Sequence, residues 1–415
     1  MDVRRIVLLL GIGTLGLAGA AVAEQGPAAA ATATCHGRPA TIVGTVADDR
    51  LLGTPGPDVI VALAGNDVIR AGRGDDVVCA GAGSDQIWGG MGNDLIDGQL
   101  DEYYSDPRAG ESVVGDILRP GPGDDQVIPG DDERAAHVEL DEISYDESAT
   151  GVDVNLLQGA VTGEGNDTIA PGPVAVTGSS YEDVMIGSEG DDQIDGGPGA
   201  DRLLGGAGND RLEDGDDPGN LARGSADRLQ GGPGDDAVWA YGGSDVLYGG
   251  LGSDWLADNG HSPDQLYAGP GNDSVDDVWI GSADQVVDGG PGTDFASWQS
   301  WFVRDGRRIF PSVITDMKLG RTSLPAYGLS FVTASFETQF TSSLRWTFWG
   351  TDGADRVNSH LARTELHGRG GNDVLIGSPG NDLIYGGQGW DRADGRRGTD
   401  TCVSVEKTRN CERDR

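Results

Sequence analysis

Aspartate recurs at every ninth residue over long stretches of this chain. From Gly53 the sequence reads GTPGPDVIV, ALAGNDVIR, AGRGDDVVC, AGAGSDQIW and GGMGNDLID without a gap, with Asp58, Asp67, Asp76, Asp85 and Asp94 at the sixth position. The register resumes over 178–213 with Asp183, Asp192, Asp201 and Asp210, and from Ala222 with Asp227, Asp236, Asp245 and Asp254. Looser units are centred on Asp264, Asp273, Asp284 and Asp294. A last block, Gly350 to Val403, carries Asp355, Asp373, Asp382, Asp391 and Asp400, with Thr364 standing where a carboxylate is missing. One Asp-Gly turn is ordinarily a turn whose aspartate caps its own backbone. The same carboxylate repeated in phase is a column of negative charge, and that pattern suits a hard cation. Calcium takes roughly six to eight oxygens from carboxylates and carbonyls, whereas magnesium prefers near-ideal octahedral geometry and keeps its waters. The candidate metal ligands are the carboxylates of Asp58, Asp67, Asp76, Asp85, Asp94, Asp192, Asp201, Asp210, Asp227, Asp236, Asp245, Asp254, Asp273, Asp373, Asp382 and Asp391. With them go the backbone carbonyls around Gly72, Gly74, Gly81, Gly83, Gly90, Gly92, Gly197, Gly199, Gly206, Gly208, Gly232, Gly234, Gly250 and Gly252.

Each remaining position of the unit has a job in placing those oxygens. Glycine at positions one, two and four permits positive φ and close backbone approach. Proline at position three (Pro55, Pro122, Pro198, Pro233, Pro270, Pro291, Pro379) stiffens the turn without needing an N–H partner. Positions seven to nine form a very short strand whose middle residue points inward, as Ile60, Ile69, Val78, Ile87 and Ile96 do in the first block. Two units then make one coil, with a strand on each face and a turn on each edge. Asp58 and Asp76 fall on one edge, Asp67 and Asp85 on the other. An ion between adjacent turns would take Asp oxygens and Gly carbonyls from units two apart in sequence. The expected fold is all-β: blocks of parallel β-roll, a β-helix-like solenoid, joined by β-rich connectors.

Composition agrees. The 415 residues include 70 glycines and only 37% hydrophobics, so a single large apolar core is not expected. With 68 acidic and 29 basic residues the formal net charge is −39, which disfavours nucleic acid and anionic membrane as partners. A compact chain this acidic repels itself, and bound cations remove that penalty. Arg4, Arg5, the apolar run from Ile6 to Leu17 and Ala21-Val22-Ala23 read as a secretory signal over 1–23, and no later segment is long and apolar enough to span a membrane. The four cysteines suit an oxidising, extracellular destination and allow three pairings. We expect Cys35 with Cys79, which flank the first repeats, and Cys402 with Cys411, which are close in sequence.

The units GGPGADRLL, GGAGNDRLE, GGPGDDAVW and GGLGSDWLA resemble the hemolysin-type calcium-binding repeat of the RTX family, with consensus GGxGxDxUx. The resemblance implies a parallel β-roll that folds on binding several calcium ions. The chain departs from many members in having an N-terminal signal and no recognisable enzyme or toxin domain ahead of its repeats. Its ends, CHGRPATIVGT at Cys35 and GTDTCVSVEKTRNCE, resemble small secreted repeat proteins of actinobacteria.

The organisation that follows is a signal (1–23), an N-terminal cap (24–52), roll blocks at 53–97, 178–297 and 350–403, a β connector (98–177), an aromatic β-rich insert (298–349) and a C-terminal cap (404–415). The connector resembles those found between rolls in this family. Its acidic clusters, Asp101 with Glu102 and Asp131 to Glu133, read as solvated loops. The insert gathers Trp298, Trp301, Phe302, Phe310, Tyr327, Phe331, Phe336, Phe340, Trp346, Phe348 and Trp349, with Leu344, Trp346 and Phe348 alternating as in a half-buried strand. It is expected to be a small β core; the competing reading is a surface for cell-wall or glycan contact. HExxH and GxSxG are both missing, and the histidines (His36, His137, His261, His360, His367) form no recognisable ligand set. The expected function is a secreted or cell-surface calcium-binding repeat protein, not an enzyme. The alternatives are an adhesive protein using the rolls as calcium-stiffened spacers, and a secreted hydrolase with an unrecognised site.

Overall fold

The computed structural model describes residues 33–99, 115–130, 140–172, 174–215, 224–259, 264–279, 286–292, 294–299, 350–359 and 363–414, with backbone strands between 302 and 349. The signal segment, the acidic clusters of the connector, His137, His261, His360 and the aromatic side chains of 298–346 lie outside the described residues. Every regular element among those described is a β-strand. Among the described residues no helix is long and apolar enough to cross a membrane.

Each nonapeptide contributes one short strand, and alternate strands belong to opposite faces. On one face Val59–Ala64 pairs in parallel with Val77–Ala82, which pairs with Leu95–Asp97. On the other, Arg50–Leu52, Val68–Arg73, Gln86–Met91 and Ile117–Arg119 follow one another. The register stacks inward residues on inward residues: Ile60 on Val78 on Ile96, and Ile69 on Ile87 on Leu118. These side chains are wholly buried, as are Leu203, Leu212, Leu229 and Leu247 further along. Each such burial contributes about 1.5–3 kcal/mol. The core is only one side chain deep from each face, so the turns must supply much of the remaining order.

The pairing passes through both stretches that lack regular repeats. Gln126–Ile128 pairs in parallel with Asn166–Ile169. That strand runs antiparallel to Ala160–Thr162, which runs antiparallel to Asp153–Asn155, and the last pairs in parallel with Val184–Ile186. The same device recurs later. Val286–Asp288, Leu329–Ala334, Arg321–Leu324, Ser312–Asp316 and Arg345–Trp349 are joined by parallel, antiparallel, antiparallel and parallel pairing. Meanwhile the opposite face runs straight, from Glu142–Ser144 to Ala175–Thr177 and from Phe295–Gln299 to Thr338–Thr341. Both irregular stretches therefore splice a three-stranded meander into one face. Phe348 is buried and paired with Leu366, inside the common core.

Disulfides tie both ends. Cys35 joins Cys79, 44 residues on, and the hairpin Thr34–Cys35/Arg38–Pro39 sits outside the first coils with Val61 and Val77. Cys402 joins Cys411. His36 lies 2.8 Å from Asp97, and His367 stacks between Trp349 and Tyr385, both as packing groups at the coil surface.

Candidate metal-binding turns

Among the described residues, which leave out Asp284, the sixth-position aspartates form two columns, one along each edge, and each is buried. The inward residue two places on anchors the strand, and the glycine turn before it brings the backbone close enough for the carboxylate to reach the neighbouring coil. The backbone N–H of one aspartate donates to Oδ1 of the aspartate in the following coil. Asp58 donates to Asp76 (2.7 Å), Asp76 to Asp94 (2.9 Å), Asp94 to Asp125 (2.7 Å) and Asp125 to Asp167 (3.0 Å). On the opposite edge Asp67 donates to Asp85, and the chain continues through Asp116 to Asp141. A second pair of columns links Asp183, Asp201, Asp227, Asp245 and Asp264, and Asp192, Asp210, Asp236, Asp254, Asp273 and Asp294. The last links Asp355, Asp373 and Asp391, and Thr364, Asp382 and Asp400. Val152 and Val174 take the aspartate's place at the first meander and interrupt both columns: the Val152 N–H donates to Asp183, and the Val174 carbonyl accepts from Gln193.

In many of these aspartates Oδ1 is thus satisfied and Oδ2 is not. The Oδ2 atoms of Asp67, Asp76, Asp94, Asp125, Asp210, Asp236, Asp245, Asp254, Asp273, Asp373, Asp391 and Asp400 are buried without a hydrogen-bond partner. A buried ionised carboxylate left in this state costs several kcal/mol, so the arrangement calls for a cation or a proton. Where serine or threonine replaces glycine at position two, its hydroxyl donates to the carboxylate instead, as Ser188 does to Asp192 and Ser378 to Asp382.

Backbone carbonyls, the other half of a hard-cation donor set, line the gaps between turns, and one meets Oδ2 beside the position-one glycine: a Cβ on Gly89 would lie 2.5 Å from the Pro120 carbonyl oxygen and 2.7 Å from Asp94 Oδ2. A Cβ built on Gly90 would lie 2.1 Å from the Gly72 carbonyl oxygen, and one on Gly92 would lie 1.9 Å from that of Gly74. Gly232 over Gly206, Gly234 over Gly208, Gly250 over Gly232 and Gly252 over Gly234 repeat this. Gly81, Gly83, Gly197 and Gly199 stack in the same way over Leu63, Gly65, Ser179 and Tyr181. Carbonyl oxygens of one turn therefore point at the next turn, where any side chain would block them. Carboxylates and carbonyls without nitrogen or sulfur are the donors calcium takes.

Electrostatics records the same crowding. Burial, with neighbouring carboxylates adding to it, pushes Asp94 up to about 6, Asp210 to about 7, Asp125 to about 8 and Asp245 to about 9.

The periodicity alone misses several members of the columns. Asp116, Asp141 and Asp167 sit in the connector, where insertions break the nine-residue period; the signal that survives is aspartate two residues before Leu118, Ile143 or Ile169. Position five carries a ladder of its own, running the other way: the Asn93 N–H donates to Asp75, Asp124 to Asn93 and Asn166 to Asp124. Its signal is the recurrent Asp or Asn at a position the repeat leaves unspecified. Glu406 accepts from the Asp391 N–H and Glu412 from that of Asp400, closing both columns with no periodic cue.

Fold and site together define a parallel β-solenoid with carboxylates and carbonyls stacked along both edges. The profile of the RTX calcium-binding nonapeptide repeat matches residues 43–78, 80–102, 177–212, 222–256 and 367–402, and the chain carries that repeat in several copies. No curated protein matches the chain. Strand pairing and the aspartate column continue beyond the matched stretches, through Asp264, Asp273 and Asp294.

Proposed function

We propose that this is a secreted calcium-binding protein whose coils order as calcium enters the spaces between stacked turns. The observation that carries the reading is the repeated, buried Oδ2 without a partner, lying beside a position-one glycine together with a carbonyl of the adjacent coil. The sixth-position aspartates and the position-two and position-four carbonyls would hold the ions. Calcium, when bound, supplies the positive charge that these columns lack and joins each coil to the next. Both disulfides and the signal-like first 23 residues support an extracellular setting, where calcium is plentiful. Binding is favoured over catalysis because the buried carboxylates repeat nearly one environment, whereas acid–base catalysis needs a pair held in two unlike ones.

The test is far-ultraviolet circular dichroism of the mature protein with an ion count by calorimetry. In chelator the chain is expected to lose most of its β signal and to regain it in millimolar calcium, taking up several ions. A spectrum indifferent to calcium would overturn the proposal.

A further inference from the structure

One stretch of an edge departs from the repeat in a way that changes its charge. Position one of the turn is glycine at Gly196, but in the next coils it is Asp214, Ala240 and Asp258, placed by the pairing of Glu213 with Trp239 and of Ala240 with Asp258. Asp214 and Asp258 are fully buried. One carboxylate oxygen from each of Asp214, Asp227 and Asp245 lies within 4.8 Å of the other two. Asp258 approaches from the following coil, where its side chain hydrogen-bonds that of Asp264. Asp245 is 1% exposed, its Oδ1 is taken by the Asp227 N–H, and its Oδ2 has no hydrogen-bond partner. The Tyr241 N–H holds Asp214 in place through Oδ2 at 2.6 Å.

We propose that Asp214, Asp227 and Asp245 form a cation site distinct from the ordinary turns, with three carboxylates in place of the usual carboxylates and carbonyls, and that calcium fills it before the others. Three buried carboxyl groups with oxygens within 4.8 Å of one another offer a cation more ionisable ligands than an ordinary turn does. The affinity of oxygen-donor calcium sites rises with the number of charged ligands and with rigidity, and this site has both. Asp258 adds a fourth carboxylate close by. The site rests on its own geometry and stands whether or not the ordinary turns bind.

The test is calcium titration of the whole, chelator-stripped protein by calorimetry, comparing the wild type with Asp214→Gly and Asp94→Asn. Glycine stands at the same position of the preceding coil (Gly196), so Asp214→Gly returns the turn to the repeat's own form, and circular dichroism in saturating calcium checks that the fold survives loss of the Tyr241 N–H bond. The wild type is expected to show a small tight class of sites ahead of a larger weak one. Asp214→Gly should weaken the tight class roughly tenfold or more, and Asp94→Asn should leave it unchanged. Uniformly weak binding with no tight class in the wild type, or an unaltered tight class in Asp214→Gly, would overturn the site. Loss of all calcium binding in the wild type would overturn this site and the proposed function together, whereas a tight class without the weak one would count only against the ordinary turns.

Discussion

At the scale of single residues, the turn depends on what is absent from it. Gly234 has φ +146° and a Cβ there would lie 1.6 Å from the Gly208 carbonyl oxygen, so alanine must displace backbone as well as strain φ. Gly56 has nothing within 4 Å of its would-be Cβ and no positive φ. Gly234→Ala is expected to lower stability in saturating calcium by an amount at the upper end of about 1–3 kcal/mol. Gly56→Ala should change it by less than about 0.5 kcal/mol. Urea unfolding followed by fluorescence distinguishes them, and equal effects would argue against the carbonyl cradle. Thr364 shows the opposite economy: it lacks the carboxylate, yet its N–H still donates to Asp382 and Leu366 still fills the core. Packing and metal ligation are separable within one unit.

At the scale of elements, both columns end on glutamate. Glu406 replaces the missing next coil for Asp391, and the Cys402–Cys411 bridge holds the segment that carries it. Glu406→Ala leaves the buried Asp391 N–H without its acceptor and is expected to cost about 1–3 kcal/mol. Because coils in a solenoid contact chiefly their neighbours, that loss should be local. Amide hydrogen exchange should quicken in residues 392–409 and stay unchanged in 59–97. Uniform acceleration along the chain would show instead that the coils unfold as one unit. The meanders act at this scale too. Each adds antiparallel strands to one face, and the valines at 152 and 174 mark where the first does so at the expense of the carboxylate columns.

At the scale of the whole molecule, charge and stability are coupled through pH. A carboxyl whose folded-state pKa lies above its ordinary value holds a proton that the unfolded chain has released. Metal-free stability from these groups is therefore present below the ordinary value of 3.8 and is lost as pH rises through about 6 for Asp94, 7 for Asp210, 8 for Asp125 and 9 for Asp245. In chelator the protein should show more β structure at pH 5 than at pH 8, and calcium should restore it at pH 8. Circular dichroism across that range checks both. A metal-free chain that orders better at the higher pH would contradict the buried columns.

The sequence by itself determined the repeat unit, the inward residues, the two-edge arrangement of aspartates and the glycine positions. All of these follow from local rules: a period of nine, strand alternation, and the steric freedom of glycine. Only the tertiary structure decided which residues outside the period join the columns. Asp116, Asp141 and Asp167 are brought in by strand pairing across insertions of varied length, and Glu406 and Glu412 by the closing of the last coil. Likewise Asp214 meets Asp227 and Asp245 only because parallel stacking sets successive coils side by side, and distance along the chain does not encode that contact.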